Sequence, residues 1–242
     1  MKLIVPDWPA PARVKSLMTT RVGGVSETSW ASLNLGDHVG DDPARVAANR
    51  ARLRRHLPSE PGWLRQVHSA RAVELGGEPH PEADAAFTRD AGQVCAVLTA
   101  DCLPALFCDR SGSVVAAAHA GWRGLAGGVL ETTVAAMQVA PGDVLVWLGA
   151  AIGPQAFEVG DDVRETFVAQ HPDAAAAFRP HPDARPGKWL ADIYRLARIR
   201  LDRIGVRAVH GGGRCTFNES DVFFSYRRDG VTGRMASLIW LA

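Results

Sequence analysis

The sequence predicts an α/β fold of the α+β kind, a single domain over residues 1–242 in which helices flank a mixed β-sheet. Three observations point there. Strand-like and helix-like stretches intermix along the chain. Asp109-Arg110-Ser111-Gly112-Ser113 lies between two apolar runs and reads as a hairpin turn, so the sheet is not all parallel. At 242 residues the chain can bury a substantial core without dividing.

The elements follow in order. Pro6 to Pro11 is an extended entry, and Val14–Thr20 reads as a strand. Arg21 to Ser26 is a glycine-bent loop. Asp42 is a helix N-cap with Pro43 at the first helical position, opening a helix that runs to about Leu57 and stops before Pro58. Trp63–Val67 is a strand candidate delivering His68 at its end. Ala72–Leu75 is a further short strand, Gly76–Glu82 a loop, and Ala83–Thr88 fits either element. Val94–Thr99, Ala105–Cys108 and Val114–His119 are apolar runs of strand length. Leu125 to about Val139 has helical spacing. Val144–Ala150 is a strand ended by Ile152-Gly153-Pro154. Asp161–Gln170 and Trp189–Ile204 are helix candidates, and the Pro/Ala-rich His171–Lys188 between them reads as a surface excursion. Val206–His210, Phe223–Tyr226 and Ala236–Trp240 complete the strands.

Composition narrows the function. Formal net charge is +1, so bulk charge favours neither nucleic acid nor membrane as a partner. The N-terminus lacks a long apolar region before Pro6 and Asp7, which argues against a signal peptide. No stretch approaches the roughly 18 apolar residues of a membrane span. A cytoplasmic location is the expectation. Cys95, Cys102, Cys108 and Cys215 then read as thiols or ligands rather than a disulfide framework. Cys95, inside an apolar run, looks like core, and Cys108 precedes a turn with no obvious His partner. Cys215 follows a glycine-rich bend and could line a cleft, with core packing the reading its surroundings favour.

Thr99–Gly128 holds the chemistry. Cys102 and His119 each stand at the end of a strand candidate, and a hairpin-like connection can bring two such ends together. His68 could approach from a third direction. Two imidazoles and a thiolate suit zinc, with a fourth position open for water or substrate. Spacing alone leaves a small buried Cys and hydrogen-bonded histidines as the competing reading. Asp101 could orient a ligand, or simply hold a cap or turn. Gly121-Trp122-Arg123-Gly124 leads into a helix, where backbone N–H groups and Arg123 could hold an anion. Arg21 is a similar candidate. Asn34 could hydrogen-bond a polar ligand or only a turn.

These motifs identify a resemblance. The chain resembles the YfiH-like proteins, also called the polyphenol oxidase or laccase-domain family and, in bacteria, peptidoglycan editing factor. The matching segments are Thr20–Ser26, Asn34 with His38–Asp42, Gln66–Ser69, Thr99–Pro104 (TADCLP), His119–Gly124 (HAGWRG), Ile152–Pro154 with Glu158–Gly160, and Cys215 with Phe223–Leu241. The resemblance implies a single α/β domain with zinc on His68, Cys102 and His119. It implies phosphorolysis of adenosine, inosine, guanosine or S-methyl-5′-thioadenosine, and adenosine deamination. Purine nucleosides and phosphate would be the partners. It also implies a link to removing L-serine from a UDP-MurNAc precursor. Arg21, Asn34 and Arg123 are then candidates for substrate and phosphate, and Asp101, Cys102 and His119 for catalysis.

Three other readings stay open. The laccase label suggests copper oxidation of phenols, but a multicopper centre needs many imidazoles and the chain has eight His in all. Copper does outcompete zinc at most nitrogen and sulfur sites. Cys102 with His119 as base would make a metal-free dyad for amide hydrolysis. A non-enzymatic zinc-stabilised interaction module would need a fourth protein ligand, for which Cys215 is the one conceivable residue.

Overall fold

The computed structural model describes residues 1–183 and 185–242. In chain order the elements are β1 (Leu3–Ile4), β2 (Val14–Thr19), α1 (Pro43–Arg54), β3 (Pro61–Gly62), β4 (Ala72–Glu74), β5 (Ala85–Thr88), β6 (Val94–Thr99), β7 (Leu103–Asp109) and β8 (Val115–Ala120). There follow α2 (Trp122–Gly127), α3 (Val129–Met137), β9 (Val144–Leu148), β10 (Glu158–Gly160), α4 (Asp161–Gln170), β11 (Phe178–Pro180), β12 (Lys188–Ala191), α5 (Ile193–Arg203), β13 (Ala208–Gly211), α6 (Tyr226–Asp229) and β14 (Met235–Leu241).

The fold is mixed α/β, built in four layers. A six-stranded sheet runs β13-β9-β7-β8-β5-β4, and a five-stranded sheet runs β1-β2-β14-β6-β3. The first is antiparallel at its centre and parallel at both edges. Strand alternation explains the layering. On β7, Leu103, Ala105 and Phe107 face a core shared with α3, α4 and α5. Leu106 and Cys108 point the other way, into a core shared with Met18, Val97 and Ile239 of the second sheet. The second sheet's outer face, with Leu17, Ala96 and Leu238, is covered by Leu53 of α1 and by Leu57 and Trp63. A small sheet β10-β12-β11 lies apart from both. Cys95 is buried as expected, Cys108 is buried too, and burial pushes both thiols up, that of Cys108 to about 12.

Helix α1 begins where the Asp42–Pro43 pair places it, with the Asp42 carboxylate accepting from the Ala44 N–H at 2.8 Å. Its buried Asn49 ties it to the loop that precedes it. Oδ1 accepts from Val25 N–H, and Nδ2 donates to Ser26 Oγ and to the carbonyls of Ser32 and Asn34. Asn49→Ala is expected to cost about 2 kcal/mol in urea denaturation, because it leaves these buried groups unpaired.

Five expectations need correction. Trp63–Val67 is not a regular strand: only Pro61–Gly62 pairs with β6. Beyond it, Arg65 keeps one backbone bridge to Glu82, and side chains replace the ladder to β6. Gln66 bonds both backbone groups of Leu98, and a carboxylate takes the N–H groups of Val67, His68 and Ser69. Leu125–Val139 is two helices, because Gly128 turns left-handed at φ 94° between them. Trp189–Ala191 belongs to a strand, and α5 starts only at the Asp192 cap. Phe223–Tyr226 is a turn into α6, capped by Ser225, with Phe223 and Phe224 buried beneath it. In the Pro/Ala-rich stretch, Ala174, Ala177 and Phe178 are core residues, so that stretch is no mere surface excursion. Its β11 pairs with β12, and its Ala184 lies outside the described residues.

Candidate metal centre

The site is assembled by strand register. The β5–β8 pairing sets Ala85 opposite Ala118, so Asp84 and His119 meet one residue further along. The His119 N–H donates to the Asp84 carbonyl at 2.7 Å, and His119 Nδ1 lies 2.8 Å from the Asp84 carboxylate. The β7–β8 pairing sets Leu103 opposite Ala120, which brings Cys102 beside Gly121. His68 comes from the irregular stretch before β4, at φ 61°, a left-handed conformation uncommon for a residue with a Cβ.

Asp84 holds these parts together. It is fully buried. Its carboxylate accepts from the N–H groups of Val67 (3.2 Å), His68 (3.0 Å) and Ser69 (2.6 Å), from Ser69 Oγ (2.8 Å), and from the His119 ring. One carboxylate thereby fixes the backbone of one histidine and the ring of another. Burial pushes its pKa up, but the hydrogen bond and charge of His119, with the bonds from Ser69, outweigh this and hold it down at about 2. Ionised, Asp84 can only accept. Nδ1 of His119 therefore holds its proton against Asp84, which leaves Nε2 as the ring atom that a metal would take.

His68, Cys102 and His119 offer donor atoms that all lie within 4.8 Å of one another. Cys102 Sγ is 3.8 Å from His68 Nε2, and the two imidazoles meet edge to face with centroids 4.7 Å apart. Zinc bonds of roughly 2.0–2.1 Å to nitrogen and 2.3 Å to sulfur at a tetrahedral angle separate such donors by about 3.6 Å. The residues therefore fit a single tetrahedral ion. Burial alone would raise the Cys102 thiol, but the charge and hydrogen bond of His119, with His68 behind it, pull it down toward the thiolate that binds metal. Burial alone would lower His119, but Cys102 and Asp84 carry it up.

All three donors line one cleft of about 840 Å³. That volume is within the range of small-molecule sites. Trp63, Gln66, Tyr226 and the arginines Arg50, Arg65 and Arg234 also line it. Cys215 is not part of the donor cluster. It lines a separate cleft of about 460 Å³, where its sulfur accepts from the Gly153 N–H at 3.2 Å. Among the described residues the donor set stops at three, as a site with an open position requires.

The other candidates fall in different places. Asp101, at φ 89°, turns the chain from β6 to β7. Its carboxylate accepts from Thr216 Oγ1 at 2.6 Å and from the Arg227 N–H at 2.7 Å. It thus fixes the corner that presents Cys102, while the carboxylate bonded to a donor imidazole is Asp84. Arg21 donates to the carbonyls of Ala31 and Ser220 and stacks on Phe224, holding loops together outside the cleft lining. Arg123 is exposed, lies over the Trp122 ring, and does not line the cleft. Asn34 is fully buried. Its Oδ1 accepts from the N–H groups of Gly36 and Arg234, and its Nδ2 donates to the Gly36 carbonyl and to Asp41.

Sequence reasoning misses Asp84 and Arg234. An aspartate in front of a run of small apolar residues is a weak sign of a buried, satisfied carboxylate. Arg234, behind Gly230, Thr232 and Gly233, gives no sign at all.

The chain is similar to known proteins along nearly its whole length. A profile described as multi-copper polyphenol oxidoreductase laccase matches residues 15–242. The purine nucleoside phosphorylase PA4543 of Pseudomonas aeruginosa is 59% identical over 238 residues, covering 98% of each chain. The purine nucleoside phosphorylase YfiH of Escherichia coli is 57% identical over 244 residues, covering 99% of each. The crystal structure of Neisseria meningitidis protein NMB0706 superposes with a TM-score of 0.94 at 55% identity, covering 100% of this chain and 99% of that one. With a match running from residue 15 to the last residue, and relatives of this identity along its whole length, the chain belongs to the multi-copper polyphenol oxidoreductase laccase family, the YfiH-like proteins.

Proposed function

We propose that this protein is a zinc-dependent purine nucleoside phosphorylase that also deaminates adenosine, working as one domain over residues 1–242. The observation that carries the reading is a three-donor set, spaced for one ion, in a small-molecule cleft also lined by arginines. Its relatives' names speak of purine nucleoside phosphorylase activity. One domain is supported by β14, the last strand, which pairs with both β2 and β6 and so ties the end of the chain to its beginning.

A divalent ion held by His68, Cys102 and His119 would supply Lewis acidity at the cleft wall. The chain's own residues supply position and charge. Asp84 keeps the His119 ring in one tautomer and one orientation. The exposed ring of Tyr226 offers an aromatic face to a purine. The cleft's guanidinium groups favour an anion such as phosphate. In phosphorolysis a phosphate oxygen forms a bond to C1′ of the ribose while the C1′–N9 bond breaks. Its electron pair leaves with the purine, which takes up a proton. Positioning and electrostatics carry most of such a reaction.

Zinc is preferred over copper on the donor set. One sulfur and two nitrogens at tetrahedral spacing suit it. A multicopper centre needs several donor clusters, and the described residues hold this one.

The test is adenosine turnover by protein stripped with a chelator and then reloaded with zinc or copper, with and without phosphate, resolving adenine from inosine. The expected result is activity lost on stripping and restored by zinc, with adenine formed only when phosphate is present. Nucleoside turnover that survives complete stripping would favour the Cys102–His119 dyad instead. Phenol oxidation outrunning nucleoside turnover in the copper form would favour the oxidase.

A further inference from the structure

We infer that Arg234 is the residue that holds phosphate in the cleft, an assignment that rests on the phosphorylase reading. The cleft has three arginines, and two are already committed to carboxylates. Arg50 pairs with Asp37 at 3.1 Å and stacks on Trp63. Arg65 pairs with Glu82. Arg234 pairs with no carboxylate among the described residues. Its Nη1 donates to the carbonyls of Thr232 and Gly233 at 3.0 and 3.1 Å, which fixes one edge of the guanidinium. Nε and Nη2 have no protein acceptor among the described residues. The group is half-buried, lies within electrostatic reach of Cys102, and shares the cleft with all three donor residues.

A cation left without a counter-ion in a partly desolvated cleft favours an anion there. A planar fork with free donors suits two phosphate oxygens at once.

The surrounding residues are arranged for this placement. Asn34 accepts from the Arg234 N–H at 2.9 Å, and the Leu35 N–H donates to the Arg234 carbonyl at 3.1 Å. Gly36 leaves room for the stem: a Cβ there would stand 2.8 Å from Arg234 Cγ. Asn34 is thus a positioning residue, acting through Arg234 rather than on a ligand. The anion hold lies on the segment before β14, away from Arg123 and the bend before α2.

Phosphate binding to the zinc-loaded protein is measured by calorimetry, beside the Michaelis constants for phosphate and for adenosine. Arg234→Gln is expected to weaken phosphate at least tenfold in both measurements, with adenosine moved much less and zinc content unchanged. Arg234→Lys, which keeps the charge and loses the fork, is expected to fall between parent and Gln. Arg123→Gln is expected to bind phosphate like the parent. The assignment is overturned if the parent does not bind phosphate, if both Arg234 variants bind it within twofold of the parent, or if Arg123→Gln is the variant that loses it. Should the parent bind phosphate through Arg234 yet form no adenine, the anion site stands and the phosphorylase reading falls.

Discussion

Asp84→Ala is expected to lower the stability of the metal-free protein by about 3–5 kcal/mol, the cost of breaking a buried charge-assisted network. Zinc affinity should fall about 10- to 100-fold in the same variant. Both effects have one cause. The carboxylate takes five hydrogen bonds, three from the backbone around His68 and one from the His119 ring. Without it, the left-handed turn at His68 loses its anchor and the His119 ring loses its tautomer.

Asp84→Asn separates charge from shape. The folded pKa of Asp84, about 2, lies below the ordinary carboxylate value. The stability this contributes is therefore complete well above the ordinary value and is lost as pH falls through the folded one. It amounts to about 2.5 kcal/mol at neutral pH, roughly half of it gone by pH 3. Urea midpoints of the metal-free protein at pH 7 and pH 3 should show the parent losing that share and the Asn variant not losing it. Equal acid slopes in the two proteins, together with unchanged zinc affinity, would mean that Asp84 neither anchors the His68 turn by its charge nor orients His119.

Gly121→Ala is expected to abolish metal binding and turnover as fully as Cys102→Ala, while leaving the fold in place. A Cβ at this position would stand 2.9 Å from Cys102 Sγ and 2.9 Å from His68 Cδ2. At least one donor must move, and a displacement of a few tenths of an ångström at each spoils a tetrahedral site. The backbone does not object. Gly121 has φ −58°, which any residue adopts, and it stands at the N-cap of α2. Denaturation of the metal-free variant should therefore match the parent within about 1 kcal/mol. Zinc content after dialysis and the melting shift on adding zinc would check this. A variant that still binds zinc with parental affinity would mean that Cys102 and His68 do not converge on one ion.

Much of this protein is legible along the chain. The Asp42–Pro43 start of α1 needs only a cap and a ring with fixed φ. The runs Val94–Thr99 and Val114–His119 declare themselves by unbroken apolarity. The donor trio rests on zinc's taste for thiolate and imidazole and on the resemblance carried by TADCLP and HAGWRG, two segments distinctive enough to mark the family.

What the chain order does not disclose is who holds the donors. Asp84 is a carboxylate in an indistinct stretch until the β5–β8 register sets it against His119. Gln66 reads as a strand residue, yet its side chain bonds Leu98 where a ladder would have run. Arg21, Asn34 and Arg123 stand out in the sequence as polar residues beside glycines. Folding turns two of them into loop and surface arginines and the third into a support for Arg234, 200 positions away. The reason is physical. Periodicity, capping and metal preference act over a few neighbouring residues or belong to a side chain itself, so the sequence alone determined the layers' raw elements and the candidate ligands. Burial of a charge and the pairing of distant strands exist only once the sheets have packed, and these decided which carboxylate bonds the His119 ring and which cleft arginine pairs with no carboxylate among the described residues.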